Sequence, residues 1–513
     1  VTIEPGHLAA PVPNSSLTVV DEATRLAIEE RWRLLEKTIN RTHRHDPLPS
    51  GAKPADIVPW TPPVTTGATE RAGEPIYVDV NGNPTSAAPG GFSSRVNEPS
   101  VAATGDYVFY TANWYAAAST DAGVSWSYVN PYTGPFPEPA GEDFCCDQQA
   151  HYDNASNTVF WLQQLIPATA ASNGTQRVNV DQGANGTWDC FYDVTPQQAG
   201  FANLSFPDYP DLALSDQHLF LTSNIFPTNG GGFLGAFVAR LPLAQMTTCA
   251  ATSATFYTDT SFGSFRLTQE AGATMYFADL ETTSSIRVWS WPQASASPSS
   301  VTRIINSFLI GTRACPGPDS RDWCGFIDSR LLGGALAGNR AAFFWVAQQN
   351  PVGGFPFPYT QGVILDTSNS LAVLEQPLIW SNDAAWVYPS ASANSNGDLG
   401  GTIMWGGGTF FPQCSVWLVD DANGDSFSPF DHQVVISGTS GPSSNRSGDY
   451  LSTRNHHPYD LGYSGTCFSY LSSSTGTSRY VRFGRTEAFV TNLFTDGFES
   501  GNVSAWSSFV NGG

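Results

Sequence analysis

Seven short aromatic runs recur along this 513-residue chain, each after a small polar turn. They begin at Val108, Val159, Leu219, Thr274, Ala342, Thr402 and Cys467. Runs of β-branched and aromatic residues bounded by turn residues fit buried strands. Ahead of each run stands a segment with a polar or charged residue followed by small or apolar ones. These segments start at Glu98, Asp147, Tyr209, Arg266, Ile327, Tyr388 and Asp449, at intervals of 49, 62, 57, 61, 61 and 61 residues. Repetition at a fixed period signals a repeat architecture, and a four-stranded propeller blade takes about 40–50 residues. Longer loops account for the surplus. The pattern predicts an all-β protein, a seven-bladed β-propeller over residues 76–495. Two β-sandwiches are the alternative, but they give no reason for the even spacing.

A propeller explains the paired segments. The innermost strand of each blade lines the channel, so its start meets water at one mouth. The second strand lies between neighbouring blades and needs bulky apolar side chains. Closing the ring protects the sheet edges, and the segment from Glu74 to Val80 is expected to pair with the last blade as a clasp. Residues 1–75 hold the one convincing helix, over 21–39. Asp21 is placed as its cap, Ile28, Trp32, Leu35 and Ile39 as its apolar stripe, and Glu29 and Arg33 as an exposed pair. Residues 46–75, rich in Pro, Thr and Gly, read as an extended segment wrapping the surface.

Charge excludes some partners. The formal net charge is −22, and lysine occurs only at Lys37 and Lys53. Such a surface repels phosphate backbones, so nucleic acid and anionic membrane are poor partners. No apolar run approaches the length of a membrane span. Oligomeric state is not legible.

Eight cysteines in a lysine-poor chain suggest an oxidising compartment. Spacing does not determine connectivity. The expected pairs are Cys315–Cys324, Cys190–Cys249, Cys414–Cys467 and a vicinal Cys145–Cys146 bond, with pairing to other strands as the alternative for the adjacent two. A start at Val1 without an apolar leader reads as a mature exported form, secreted or held at a cell surface. The tail from Asp496 to Trp506, within residues 496–513, resembles a C-terminal segment common on secreted bacterial proteins.

Ser119-Thr-Asp-Ala-Gly-Val-Ser-Trp126 resembles the Asp-box of sialidase-like propellers, S-x-D-x-G-x-x-W. That resemblance implies a turn at a blade's outer hairpin, with Asp accepting backbone N–H groups and Trp packed between strands. The arginine-bearing motif of true sialidases is missing, and Ser94-Arg95-Val-Asn-Glu98 is a loose echo of it. The segments Phe144–Gln148 and Arg446–Tyr450 also resemble those of uncharacterised secreted bacterial propellers of this kind.

Blade register converges one set of side chains on the channel mouth. Asp147, Asp208, Asp211, Asp328, Asp449, Tyr450 and His456 are the candidates for acid, base or nucleophile. Glu98, Arg266, Arg330, Arg446, Tyr209 and Tyr388 are the candidates for substrate binding. Glycoside hydrolysis needs two carboxyl groups of unlike pKa, and arginine can hold an acidic sugar. His456, with His457, Tyr459 and His151, could instead serve elimination from a uronic polysaccharide. The expectation is a carbohydrate-active enzyme, glycosidase or lyase, with a glycan ligand. A non-catalytic binding or assembly propeller is the alternative. Asp421, Asn423 and Asp425 alternate oxygen donors as a calcium loop does, so a structural Ca²⁺ is expected there and no organic cofactor. An ordinary Asn-Gly hairpin turn is the competing reading.

Overall fold

The computed structural model describes residues 1–17, 19–38, 74–90, 93, 96–311, 313–325, 327–428, 430–444 and 446–489. It is a seven-bladed β-propeller in which each blade is an antiparallel meander. The innermost strands are Ser100–Thr104, Glu142–Asp153, Ser205–Leu214, Arg266–Leu267, Leu331–Ala337, the broken pair Ala385–Val387 and Ser392–Ala393, and Thr453–Asn455. Each touches the next around a closed ring. Parallel bridges Thr104–His457 and Gln269–Ala335 show neighbouring inner strands running the same way. All seven therefore begin at one mouth of the channel.

The last blade is completed from the front of the chain. Tyr77–Gly82 pairs antiparallel with Gly476–Gly484, which is the expected clasp. Its register is locked by Arg482 on Asp79. The aromatic runs form the second strands, as their burial demands. Phe109 of blade 1 and Trp161 of blade 2 meet with ring centroids 5.1 Å apart, and Phe344 and Trp417 join blades 5 and 6 at 5.8 Å. Tapered sheets can close a ring only if such wide side chains fill the diverging space between them.

The helix spans Glu22–Thr38 and is capped by Asp21, whose carboxylate accepts the Thr24 N–H at 2.9 Å. Ile28 and Trp32 are buried against Trp114, Tyr132, Phe144 and the Cys145–Cys146 pair. The charged side differs from expectation. Glu29 takes Arg25 one turn back, and Arg33 takes Glu30 at 3.2 Å. Tyr132 pulls Glu29 inward by donating its hydroxyl to it at 3.3 Å. Ile39, most of the expected wrap at 46–75, and the tail from 496 lie outside the described residues. The first residues wrap the ring: Thr2–Ile3 pairs with Thr252–Ser253, and Val12–Pro13 with Thr187–Trp188. These short pairings cover strand edges that would otherwise be open.

The Ser119–Trp126 turn joins the third and outer strands of blade 1. Asp121 accepts the Ser125 N–H at 2.8 Å and the Ser119 hydroxyl at 2.7 Å. Gly123, at φ 92°, lets the chain reverse, and Trp126 sits edge-on to Tyr110 and Tyr480, each 5.9 Å away. The turn thus wedges blade 1 against blade 7.

The disulfides are Cys145–Cys146, Cys190–Cys249, Cys315–Cys324 and Cys414–Cys467, the expected set. Cys414–Cys467 ties blade 6 to blade 7 across 53 residues. Loop-closure entropy for that span corresponds to about 4 kcal/mol. The Cys414→Ala/Cys467→Ala double variant should lose about that much in denaturant unfolding, with an equal or steeper slope on denaturant as the freed unfolded chain expands. A loss below about 1 kcal/mol would show that the blade interface alone holds this seam.

Candidate active site at the channel mouth

The starts of the inner strands are bent out of regular pairing. The ladder slips between Phe144 and Gln148, between Asp208 and Asp211, and between Leu331 and Gly333. At three of these starts a non-glycine residue is left-handed: Cys146 at φ 50°, Tyr209 at 55° and Tyr388 at 56°. Such residues cost about 1–3 kcal/mol each and collect at functional sites. The same distortion in three blades turns polar side chains inward at one level.

Two sets result. In the first, Glu98, Asp147, Asp449 and Arg446 act on one another electrostatically. Glu98 is 1% exposed, Asp147 6% and Asp449 8%, so the cluster is nearly dry. Asn113 donates its amide to Glu98 Oε2. Glu98 Oε1 receives no N–H or O–H donor, yet the Glu98 carboxyl lies within hydrogen-bond reach of Asp147. Two carboxyls can share that contact only through a proton. Burial first, then the Asp147 and Asp449 charges, hold Glu98 well above the usual carboxyl range, against the pull of Arg446. Glu98 therefore holds its proton to higher pH than a free carboxyl does.

In the second set, Arg330 holds Asp328 at 2.7 Å and Asp449 at 3.4 Å. Burial opposes its charge, but the two carboxylates outweigh burial and raise Arg330 well above its ordinary value. Its guanidinium lies 3.9 Å over the Tyr209 ring, which meets Tyr450 edge-on at 6.2 Å. Tyr388 donates to the Gly448 carbonyl at 2.6 Å, and Tyr450 to the Gln148 carbonyl at 3.2 Å. Asp208 accepts the Gln164 amide at 3.4 Å.

Asp211 and Arg266 lie deeper and pair at 3.0 Å. Asp211 also accepts the Leu267 N–H at 2.9 Å, so it ties blade 3 to blade 4. His456 is not brought to this mouth. It follows the end of the last inner strand, is fully buried, and bonds Ser464 through Nδ1 at 2.7 Å. His151 is likewise near the far end of its strand, with Nε2 on Gln269 at 3.2 Å. Burial drives both imidazoles down to about 3, so both are neutral. Arg95 lies outside the described residues.

In the 421–425 loop, Asn423 is buried, and its oxygen accepts the Asp420 N–H at 3.1 Å. Asp420 in turn holds Arg485 at 2.8 Å. Asp421 and Asp425 face water.

Asn113, Glu270 and Arg454 escaped the sequence reading. Only Arg454 carried a signal there: the alternation that places Tyr450 in the channel reaches it four residues on. Asn113 and Glu270 sit in loops, where no periodicity operates.

No family model matches the chain, and no curated protein matches it. Among solved structures, the GH93 α-L-arabinofuranosidase of Fusarium graminearum with arabinobiose is 11% identical. It covers 79% of this chain and 98% of its own, at a TM-score of 0.38. An α-L-arabinanase of Penicillium chrysogenum with arabinobiose is 10% identical over 80% of this chain and 98% of its own, at 0.34. A PL25 ulvan lyase is 11% identical over 65% of this chain and 83% of its own, at 0.33. At TM-scores this low the likeness carries no information on the site. No helix among the described residues is long and apolar enough to cross a membrane.

The shared proton makes a pH prediction. Glu98 keeps its proton in the folded state at pH values where the unfolded chain has lost it. Its contribution is complete below the ordinary value of 4.5 and lost as pH rises toward the folded value. Glu98→Gln should therefore gain stability relative to wild type as pH climbs from 4 to 8, read from melting temperatures at each pH. A constant difference would show that Glu98 is ionised in the fold.

Proposed function

We propose that the chain is a carbohydrate-active enzyme, a glycoside hydrolase working at this mouth. One observation carries the reading: a buried carboxyl, Glu98, lies within hydrogen-bond reach of a second acid, Asp147, beside a third, Asp449, and burial with their charges holds it well above the usual carboxyl range. A carboxyl kept protonated near neutrality is what a leaving glycosidic oxygen needs.

The Glu98–Asp147 contact is too short for the two groups to work from opposite sides of a sugar, since hydrolases separate their acids by about 5–9.5 Å. The pair is therefore one proton store. Asp449, which Arg330 meets at 3.4 Å, is assigned as nucleophile or base. Arg446, which already acts on Glu98, would hold an acidic or hydroxyl-rich ring. Elimination is the weaker form of the proposal, because both histidines it would use lie toward the other end of the channel.

A non-catalytic glycan-binding propeller is the second reading. What favours it is the internal pairing of Asp328, Asp449 and Arg330, and of Asp211 with Arg266, which leaves few charges unspent. A glycan screen of wild type beside Glu98→Gln and Asp449→Asn, reading new reducing ends and unsaturated products, separates the two. Turnover that falls about 10²–10⁴-fold in Glu98→Gln, with the fold intact, supports the hydrolase. Binding without turnover supports the second reading.

Structural calcium at Asp421, Asn423 and Asp425 stands as a separate proposal, supported by the alternating donors. Added Ca²⁺ should raise the melting temperature of a chelator-treated sample, and Asp425→Asn should remove the rise. No rise in wild type would leave the loop as a plain hairpin turn.

A further inference from the structure

Below the acid layer the inner strands line a small polar cavity of about 10 Å³. Pockets for organic ligands are roughly 300–1,000 Å³ and mostly apolar. Two arginines, Arg266 and Arg454, and one acid, Asp211, line this one. Arg266 is fully matched: it has Asp211 at 3.0 Å, the Tyr209 hydroxyl at 3.1 Å and the Leu331 carbonyl at 3.2 Å.

Arg454 is not. It is 5% exposed, and no carboxylate lies within ion-pair distance of it among the described residues. It donates to the Thr453 carbonyl at 3.1 Å, and weakly to Gln149 Oε1 at 3.4 Å and the Ala150 carbonyl at 3.5 Å. Its Nε–H has no acceptor. Gln149 lines the same cavity and spends its oxygen on Arg454, so its NH₂ group is the end left for a ligand. Asp211 and, less strongly, Glu270 offset the charge only from a distance, and Arg266 opposes it. The Glu270 carboxyl accepts the Asn455 N–H and the Ser392 hydroxyl, each at 3.2 Å, and burial resists its ionisation. Burial also draws Arg454 down to about 10, against the pull of Asp211 and Glu270.

An unpaired buried guanidinium is among the costliest groups a protein can hold. A neutral water would satisfy its N–H groups and leave the charge. We propose that the cavity binds a small inorganic anion, chloride first, on the Arg454 guanidinium with the Gln149 amide as second donor. The ligand would sit on the propeller axis and bridge blades 2 and 7, which contribute these two residues. The chain's net charge of −22 works against anion entry at long range, so occupancy depends on the local field of Arg454 and Arg266.

The test uses the whole chain. Melting temperature is followed against sodium chloride, bromide and sulfate at matched ionic strength, for wild type and for Arg454→Gln. A saturating upward shift with the two halides, absent with sulfate and lost in the variant, supports the site. A shift equal in all salts, or retained in Arg454→Gln, overturns it. Crystals of wild type soaked in bromide give a second readout that does not depend on the variant folding. An anomalous peak beside the Arg454 Nε supports the proposal, and a cavity holding water alone overturns it.

Discussion

Ring closure is the constraint on which everything at the channel depends. Tyr77–Gly82 completes the blade that ends the chain, and by doing so joins blade 7 to blade 1. The seam is then stitched at the mouth itself. The Asn97 N–H donates to the Ser447 carbonyl at 2.9 Å, and Thr466 donates to the Pro99 carbonyl at 3.2 Å. Glu98 belongs to the blade 1 side of that seam, and Arg446 and Asp449 to the blade 7 side. Without closure the shared-proton pair and its third acid would belong to opposite ends of an open arc. The candidate site is thus a product of the seam, not of any one blade.

The channel shows how a propeller meets the cost of polar groups at its axis. Inner strands converge there, so their side chains leave bulk water whether or not they are polar. Several are satisfied by a neighbour one blade away: Asp211 reaches Leu267, and Ser390 meets Thr453 at 2.6 Å. These bonds are spokes between adjacent sheets and hold the inner ring in register. Against that background the exceptions stand out. Glu98 is matched only if it keeps a proton, and among the described residues no carboxylate lies within ion-pair distance of Arg454. Buried groups that a fold leaves poorly matched are where chemistry or binding is to be sought.

Much of the fold was legible because propeller blades repeat their own physics. A second strand squeezed between sheets has to be wide and apolar, so Val159–Leu162 and Ala342–Val346 announce themselves. Asp21 was legible as a cap because the free N–H groups of a first turn ask for a carboxylate. The Glu29–Arg33 pair was misjudged, since side-chain spacing on a helix offers Arg25 equally well and only Tyr132, from a distant loop, chooses between them. His456 was misplaced for a related reason. Its position just past Asn455 suggested the channel, but the inner strand has already run from one mouth to the other by then. The strand's length decides this, and its starting residue does not.

Sequence by itself determined that the chain is a ring of seven similar sheets and named the strands that line the axis. It also placed most of the acids and arginines at one mouth, because period and register are local properties that a chain writes into itself. Tertiary structure alone decided the partnerships: which carboxyls come within reach of each other, which arginine pairs directly with Asp211 and which does not. Those depend on distances between blades that are far apart in the chain, and on how completely closure of the ring removes water. A residue's charge state at the axis follows from that dryness, which no single blade possesses.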